Sequence, residues 1–222
     1  MTPADNLAND IGGYFIDQYL DGEMLRAVDL IVGAGAVLGF LAQLQARARM
    51  GQGEYAGREG AFAEVATKGG RKFYFGDAIN DAILGEISGV GLWNYVAGAA
   101  EDPDIQEKVP LMDIFQHVSS TAGADQFGEA RLPEGLTATE TPMEALRKHA
   151  GVLFNRVLSY EIAPKDLTPV YGTAGHKLVR AAAGEFIWKP DRPLEKPVAI
   201  HVFMECAIPM SKVDPAELGF TR

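Results

Sequence analysis

Two aspartates and two histidines are the residues whose type and setting could do acid–base chemistry, and each has a structural role to set beside the chemical one. Asp77 and Asp81 follow Phe73-Tyr74-Phe75-Gly76, where an apolar β-prone run hands over to a helical pattern. At such a junction, backbone N–H groups and short acids can meet a small ligand. Either aspartate could act there as a general base, with Asn80 beside it. The competing role for Asp77 is plain N-capping of the helix. His117 and His149 are the acid/base histidines. His117 is trailed by Ser119, Ser120 and Thr121, hydroxyls that could equally finish a helix.

The glycines at 33, 35 and 39 suggest a different chemistry. They follow Leu30-Ile31-Val32, as in a strand turning into a dinucleotide-binding helix, where glycine lets backbone N–H groups approach a pyrophosphate. The spacing, G-x-G-x-x-x-G, is one residue off that fingerprint, and no second strand ending in an acid follows. The alternative is a helix on which Gly35 and Gly39 form a groove for a neighbouring backbone, with Gly85 and Gly89 doing the same further on. Near the C-terminus, His201 and Cys206 invite a nucleophile–base reading. On a strand they point to opposite faces, and His201 lies about 13 Å from Glu205, which leaves Cys206 as an inert buried thiol. No two histidines have i,i+4 spacing and Cys206 is the single cysteine, so no metal site is expected. The basic turn Lys68-Gly69-Gly70-Arg71-Lys72 could hold a phosphate or be no more than a solvated hairpin turn.

The elements that must position these residues are legible in part. Thr2-Pro3-Ala4-Asp5 starts a helix whose stripe of Leu7, Ile11, Tyr14 and Phe15 runs to Leu20. A second helix from about Glu23 to Met50 carries no charge between Leu30 and Ala46. Asp29 and Arg47 close its ends and the two glutamines shorten its apolar part, so a buried core helix fits better than a membrane span. Residues 51–60 are a loop. Phe62–Thr67 and Arg71–Phe75 form a hairpin, followed by a helix over Ala78–Ala99. A helix runs from Pro110 to Thr121, and residues 123–141 are loop. Thr141-Pro142-Met143-Glu144 is a capping box opening a helix to about Tyr160. A further helix spans Thr173–Trp188, with Leu178, Val179, Ala182, Phe186 and Ile187 inward. Pro190, Pro193 and Pro197 mark an extended linker, Val198–Ile208 a strand rich in β-formers, and Asp214-Pro215 a short terminal helix.

These elements give a single α+β domain over residues 1–222, dominated by roughly five or six helices, with a small antiparallel sheet made of the hairpin and the 198–208 strand. The 222-residue length suits one core without a disulfide or metal staple, and 47% hydrophobic with 23% charged residues is an ordinary globular composition. A formal charge of −10 argues against binding nucleic acid or an anionic membrane. No basic residue precedes Arg26, so no secretory leader is expected, and one cysteine requires no oxidising compartment, which together indicate the cytoplasm. The expected function is that of a soluble, non-catalytic binding or assembly protein. It would be homodimeric through the glycine-grooved helices, with Trp93 and Tyr95 available for contacts. The alternatives are a small-molecule enzyme with its site near Asp77 and a dinucleotide-binding protein using Gly33, Gly35 and Gly39. No particular cofactor or substrate is implied.

Overall fold

A computed structural model describes residues 2–220 of the chain. Helix α1 (Pro3–Tyr19) opens on a capping box in which Thr2 Oγ1 accepts the Asp5 N–H at 3.1 Å and the Asp5 carboxylate accepts the Thr2 N–H at 2.9 Å. Leu7, Ile11 and Phe15 form its buried stripe. The chain then turns through Gly22, which has φ +61°, and pairs β1 (Leu20–Asp21) antiparallel with β2 (Met24–Leu25). That turn delays the second helix, α2 (Ala27–Gly51), beyond the expected start at Glu23.

Helix α2 is long and apolar enough, by length and composition, to cross a membrane. In this fold it is the central helix, buried on every side from Ala27 to Gln43. Around it lie α7 (Pro142–Ser159), α8 (Leu167–Ala182) and α9 (Lys196–Met210). The closest approach is to α9. A Cβ on Gly35 would come within 2.5 Å of the Phe203 carbonyl oxygen, and one on Gly39 would collide with the Ala207 backbone. The groove expected of Gly35 and Gly39 therefore exists, and a helix of the same chain fills it.

Helix α9 is the main correction to the secondary structure, because the 198–208 segment is helical and not a strand. The segment is buried nearly all round, so its apolar residues show neither period, and a continuous apolar run cannot be assigned by periodicity. Its length, and a proline in its first turn where the missing N–H is no loss, are the helical signals. Pro197 thus belongs to the helix and not to a linker. The helix expected over 78–99 is also two: α3 (Asp77–Leu84) is capped by Gly85, which is left-handed at φ +76°, and α4 (Leu92–Gly98) restarts after the seven-residue connection 85–91. Gly85 and Gly89 shape this loop and form no helical groove.

The hairpin is as expected, β3 (Ala63–Ala66) with β4 (Lys72–Phe75), antiparallel with Ala63 opposite Phe75. It is held to the segment after α9 by a bridge between Phe73 and Val213 and by the Tyr74 N–H donating to the Lys212 carbonyl at 2.8 Å. The other sheet is mixed, since β5 (Lys189–Pro190) joins β2 in parallel. Two helices, α5 (Ile105–Lys108) and α6 (Leu111–Thr121), precede the long loop, and the Thr141–Glu144 box opens α7. Helix α8 runs earlier than Thr173–Trp188 and stops before Gly184 (φ +84°). Leu178, Val179 and Ala182 are inward, whereas Phe186 and Ile187 are out in solvent, Ile187 at 89% exposure. The architecture is α+β and helix-dominated, with two small sheets.

Candidate functional site

His149 is fully buried on α7, between two tyrosines of α1. Tyr14 Oη lies 2.8 Å from its Nδ1 and Tyr19 Oη 3.2 Å from its Nε2. Tyr19 donates its own proton to the Glu140 carboxylate in a short hydrogen bond, so its oxygen is left to accept from Nε2–H, while Nδ1 accepts from Tyr14. Burial lowers the His149 pKa to about 4, the neighbouring Lys148 charge adds to this, and Glu140 only partly opposes it. The imidazole is therefore neutral at pH 7. Gly33 makes the arrangement possible, because a Cβ there would occupy the position of the Tyr19 hydroxyl. The last member of the chain, Glu140, lines a cleft of about 320 Å³ with Thr139 and Glu144. Below it Asp29 accepts from the Thr139 N–H at 2.6 Å and the Thr139 hydroxyl at 2.8 Å, and pairs with Arg26 at 3.0 Å.

Asp77 and Asp81 are one helical turn apart but in different circumstances. Asp77 is the first residue of α3, one place beyond the cap itself, half-exposed and paired with Arg58 at 3.1 Å. Asp81 is fully buried. Its Oδ1 accepts the N–H groups of Ile87 at 2.7 Å and Ser88 at 2.8 Å and the Ser88 hydroxyl at 3.2 Å, and its Oδ2 accepts Tyr55 Oη at 2.8 Å. Burial pushes this carboxyl's pKa up, but the Ser88 and Ile87 N–H groups and the Tyr55 hydroxyl outweigh it and hold it below the usual aspartate value. A carboxylate so occupied ties down the loop between α3 and α4 and is a poor base. His117 lies apart on α6, where its carbonyl accepts the Ser120 and Thr121 hydroxyls at 2.9 and 2.8 Å. The four candidate residues do not converge.

Gly33, Gly35 and Gly39 sit in the middle of α2, with their N–H groups inside the helix and their faces covered by Tyr19 and α9. They offer no N–H to a pyrophosphate. Because 198–208 is helical, His201 and Glu205 are one turn apart and 3.5 Å from each other, not about 13 Å. Glu205 is buried and clamped by Arg131, with Arg131 Nη2 2.6 Å from Oε1 and Nε 3.2 Å from Oε2, which fastens the long loop to α9. Cys206 is fully buried and burial raises its thiol pKa, so it is no nucleophile. Among the described residues no group of three or more His, Cys, Asp or Glu side chains could hold a metal ion.

A cleft of about 820 Å³ was not anticipated from the sequence. It opens between α2, α7 and the 3-10 turn Pro215–Leu218, and Leu44, Phe154, Leu218 and Phe220 give it apolar walls. Arg47, Lys72 and Asp214 supply its charges. The Arg47 guanidinium stacks on the rings of Tyr74 and Phe62, 3.9 and 4.7 Å from their centroids, while its buried Nε and Nη2 have no hydrogen-bond partner. The sequence carried one signal of this, an arginine closing the uncharged stretch of α2. Lys212, also unanticipated, is buried with its ammonium on Asn80 Oδ1 at 2.8 Å, and burial lowers its pKa to about 7. No protein-family model matches the chain, and neither a curated protein nor a solved structure matches it, so its function has to be read from these residues.

Proposed function

We propose that this is a soluble, cytoplasmic, non-catalytic binding protein, and that the cleft between α2, α7 and the C-terminal turn takes its small-molecule ligand. One observation carries the reading: the groups suited to acid–base catalysis are occupied by one another, whereas the cleft of about 820 Å³ is open and walled largely by apolar side chains. Gly151 of α7 lines the cleft with open space around its Cα, so Gly151→Trp would fill it without disturbing the core. Native mass spectrometry of the protein after screening against small-molecule libraries should show adducts that Gly151→Trp abolishes. Adducts indifferent to that substitution, or none at all, would remove the reading.

A homodimer is part of the same proposal, but its support moves. Gly35 and Gly39 are used within the subunit and Trp93 is buried, so the support comes instead from exposed apolar side chains, of which the adjacent Phe186 and Ile187 include the most exposed. The native mass should be twice 23.9 kDa and fall to the monomer in Ile187→Glu. An enzyme is favoured by one different observation, the hydrogen-bonded chain from Tyr14 through His149 and Tyr19 to Glu140 at a cleft. Any activity of that site should drop by about 100-fold or more in His149→Gln.

A further inference from the structure

We infer that a second cleft, between the end of α3, α4 and the start of α6, docks a partner protein through an amphipathic segment whose bulky apolar side chains are flanked by lysines or arginines. This surface lies apart from the cleft of about 820 Å³ and shares no lining residue with it.

The cleft measures about 510 Å³. Trp93, Leu84 and Leu111 give it apolar walls, and Met112 stands beside them at 68% exposure. A methionine left in solvent next to a tryptophan is a pliable apolar contact for another chain's side chains. The connection 85–91, which supplies Glu86 to the cleft, also exposes Ile87 and Val90, so apolar side chains continue along it beyond the cleft itself. Charge sets the sign of the partner. The two charged side chains that line the cleft are both acids, Glu86 and Asp113. Glu86 is exposed and has no ion-pair partner among the described residues. Asp113 shares Arg131 with the buried Glu205, at 2.7 and 2.6 Å, so one arginine serves two carboxylates. Even a protonated His201, 3.5 Å from Glu205, would leave Glu86 unanswered. Beside the lining residue Gln106, Glu107 is exposed as well, and the nearest lysine in the chain, Lys108, is held by Asp102 at 2.5 Å. An apolar surface with an excess of negative charge attracts a basic amphipathic segment and repels an acidic one.

The test is fluorescence anisotropy of the whole protein with dye-labelled peptides of about 14 residues, four helical turns. One carries leucines along one face and lysines elsewhere, the second has glutamates for the lysines, and the third has serines for the leucines. The leucine–lysine peptide should bind at least about tenfold more tightly than either of the others. Met112→Ser and Glu86→Lys should each weaken it by about threefold or more. Glu23→Lys, on the β1–β2 turn, makes the same change in net charge away from the cleft and should leave binding within about twofold. All three side chains are exposed, so the variants should keep the fold. Binding of none of the peptides, equal binding of the lysine and glutamate peptides, or equal weakening by Glu86→Lys and Glu23→Lys would overturn the proposal. Binding of 4-phenylbutylammonium that Glu86→Lys weakens, with no binding of the leucine–lysine peptide, would overturn it in favour of a small-amine site.

Discussion

Replacing Lys212 by Met should stabilise the protein near neutral pH, and the size of the gain should depend on pH in one direction only. The ammonium is buried between Phe75 and Phe115, its nitrogen 5.8 and 5.6 Å from their centroids, with Asn80 as its hydrogen-bond partner and no carboxylate pairing with it among the described residues. Burial takes its pKa from 10.5 to about 7. Between those values the unfolded chain holds a proton that the folded protein has released, so stability rises with pH across that window and the full cost of burying the charge is felt below it. The gap corresponds to roughly 5 kcal/mol, or about 1.4 kcal/mol per pH unit. The two ring faces favour the charged form, which makes this an upper bound. Urea unfolding of both proteins at about pH 7, 8 and 9 would measure it, since titrations common to both cancel in the difference. The Met variant should be ahead by a few kcal/mol near pH 7, less the lost Asn80 contact, and its lead should shrink steadily as pH rises. Parallel profiles would refute the reasoning, because they would mean that Lys212 keeps its proton in the folded state as it does in the unfolded one.

Gly39→Ala should cost at least roughly 2 kcal/mol in urea unfolding, since its Cβ has only the Ala207 backbone to displace, whereas Gly13→Ala, with open space around it on α1, should gain roughly 0.5–1 kcal/mol. Asp81→Asn should destabilise by roughly 2–4 kcal/mol and leave the loop between α3 and α4 open to limited proteolysis, because the Ile87 and Ser88 N–H groups and Tyr55 lose a charged acceptor. Asp81 has a lowered folded pKa, so the stability it confers is present above about pH 4 and is lost as the pH falls further. The Asn variant should therefore lose less on acidification than the unaltered protein.

What the sequence discloses about the fold follows the locality of each signal. The capping boxes at Thr2 and Thr141 are made by residues three apart, and both helices start where those residues place them. The hairpin is similarly local: the β-prone runs on either side of Lys68-Gly69-Gly70 pair antiparallel with each other. Val198–Ile208 fails for the opposite reason. Its residues face α2, α6 and α8 at once, so no polar side remains to reveal a helical period, and β-branched and aromatic residues then mimic a buried strand. The break at Gly85 was hidden because the carboxylate that stabilises the following loop, Asp81, sits inside the preceding helix where it reads as one more amphipathic position.

The site residues divide along the same line. Composition and spacing pick out side chains able to do chemistry, but whether a polar group is free is decided by partners far away in sequence. His149 looks available until Tyr14, Tyr19 and, through Tyr19, Glu140 close around it, and Asp81 until Tyr55 arrives. Arg47 is the converse. Beyond its place at the end of the uncharged stretch of α2, nothing near it in the chain marks it, because its ring partners Phe62 and Tyr74 come from the hairpin and the cleft it lines is completed by residues 214–220. Its Nε and Nη2, covered beside two neighbouring rings and without an acceptor, are therefore visible only once the chain has folded. The contrast is physical: the imidazole of His149 and the carboxylate of Asp81 have met their hydrogen-bonding demand within the fold, and those two N–H groups of Arg47 have not.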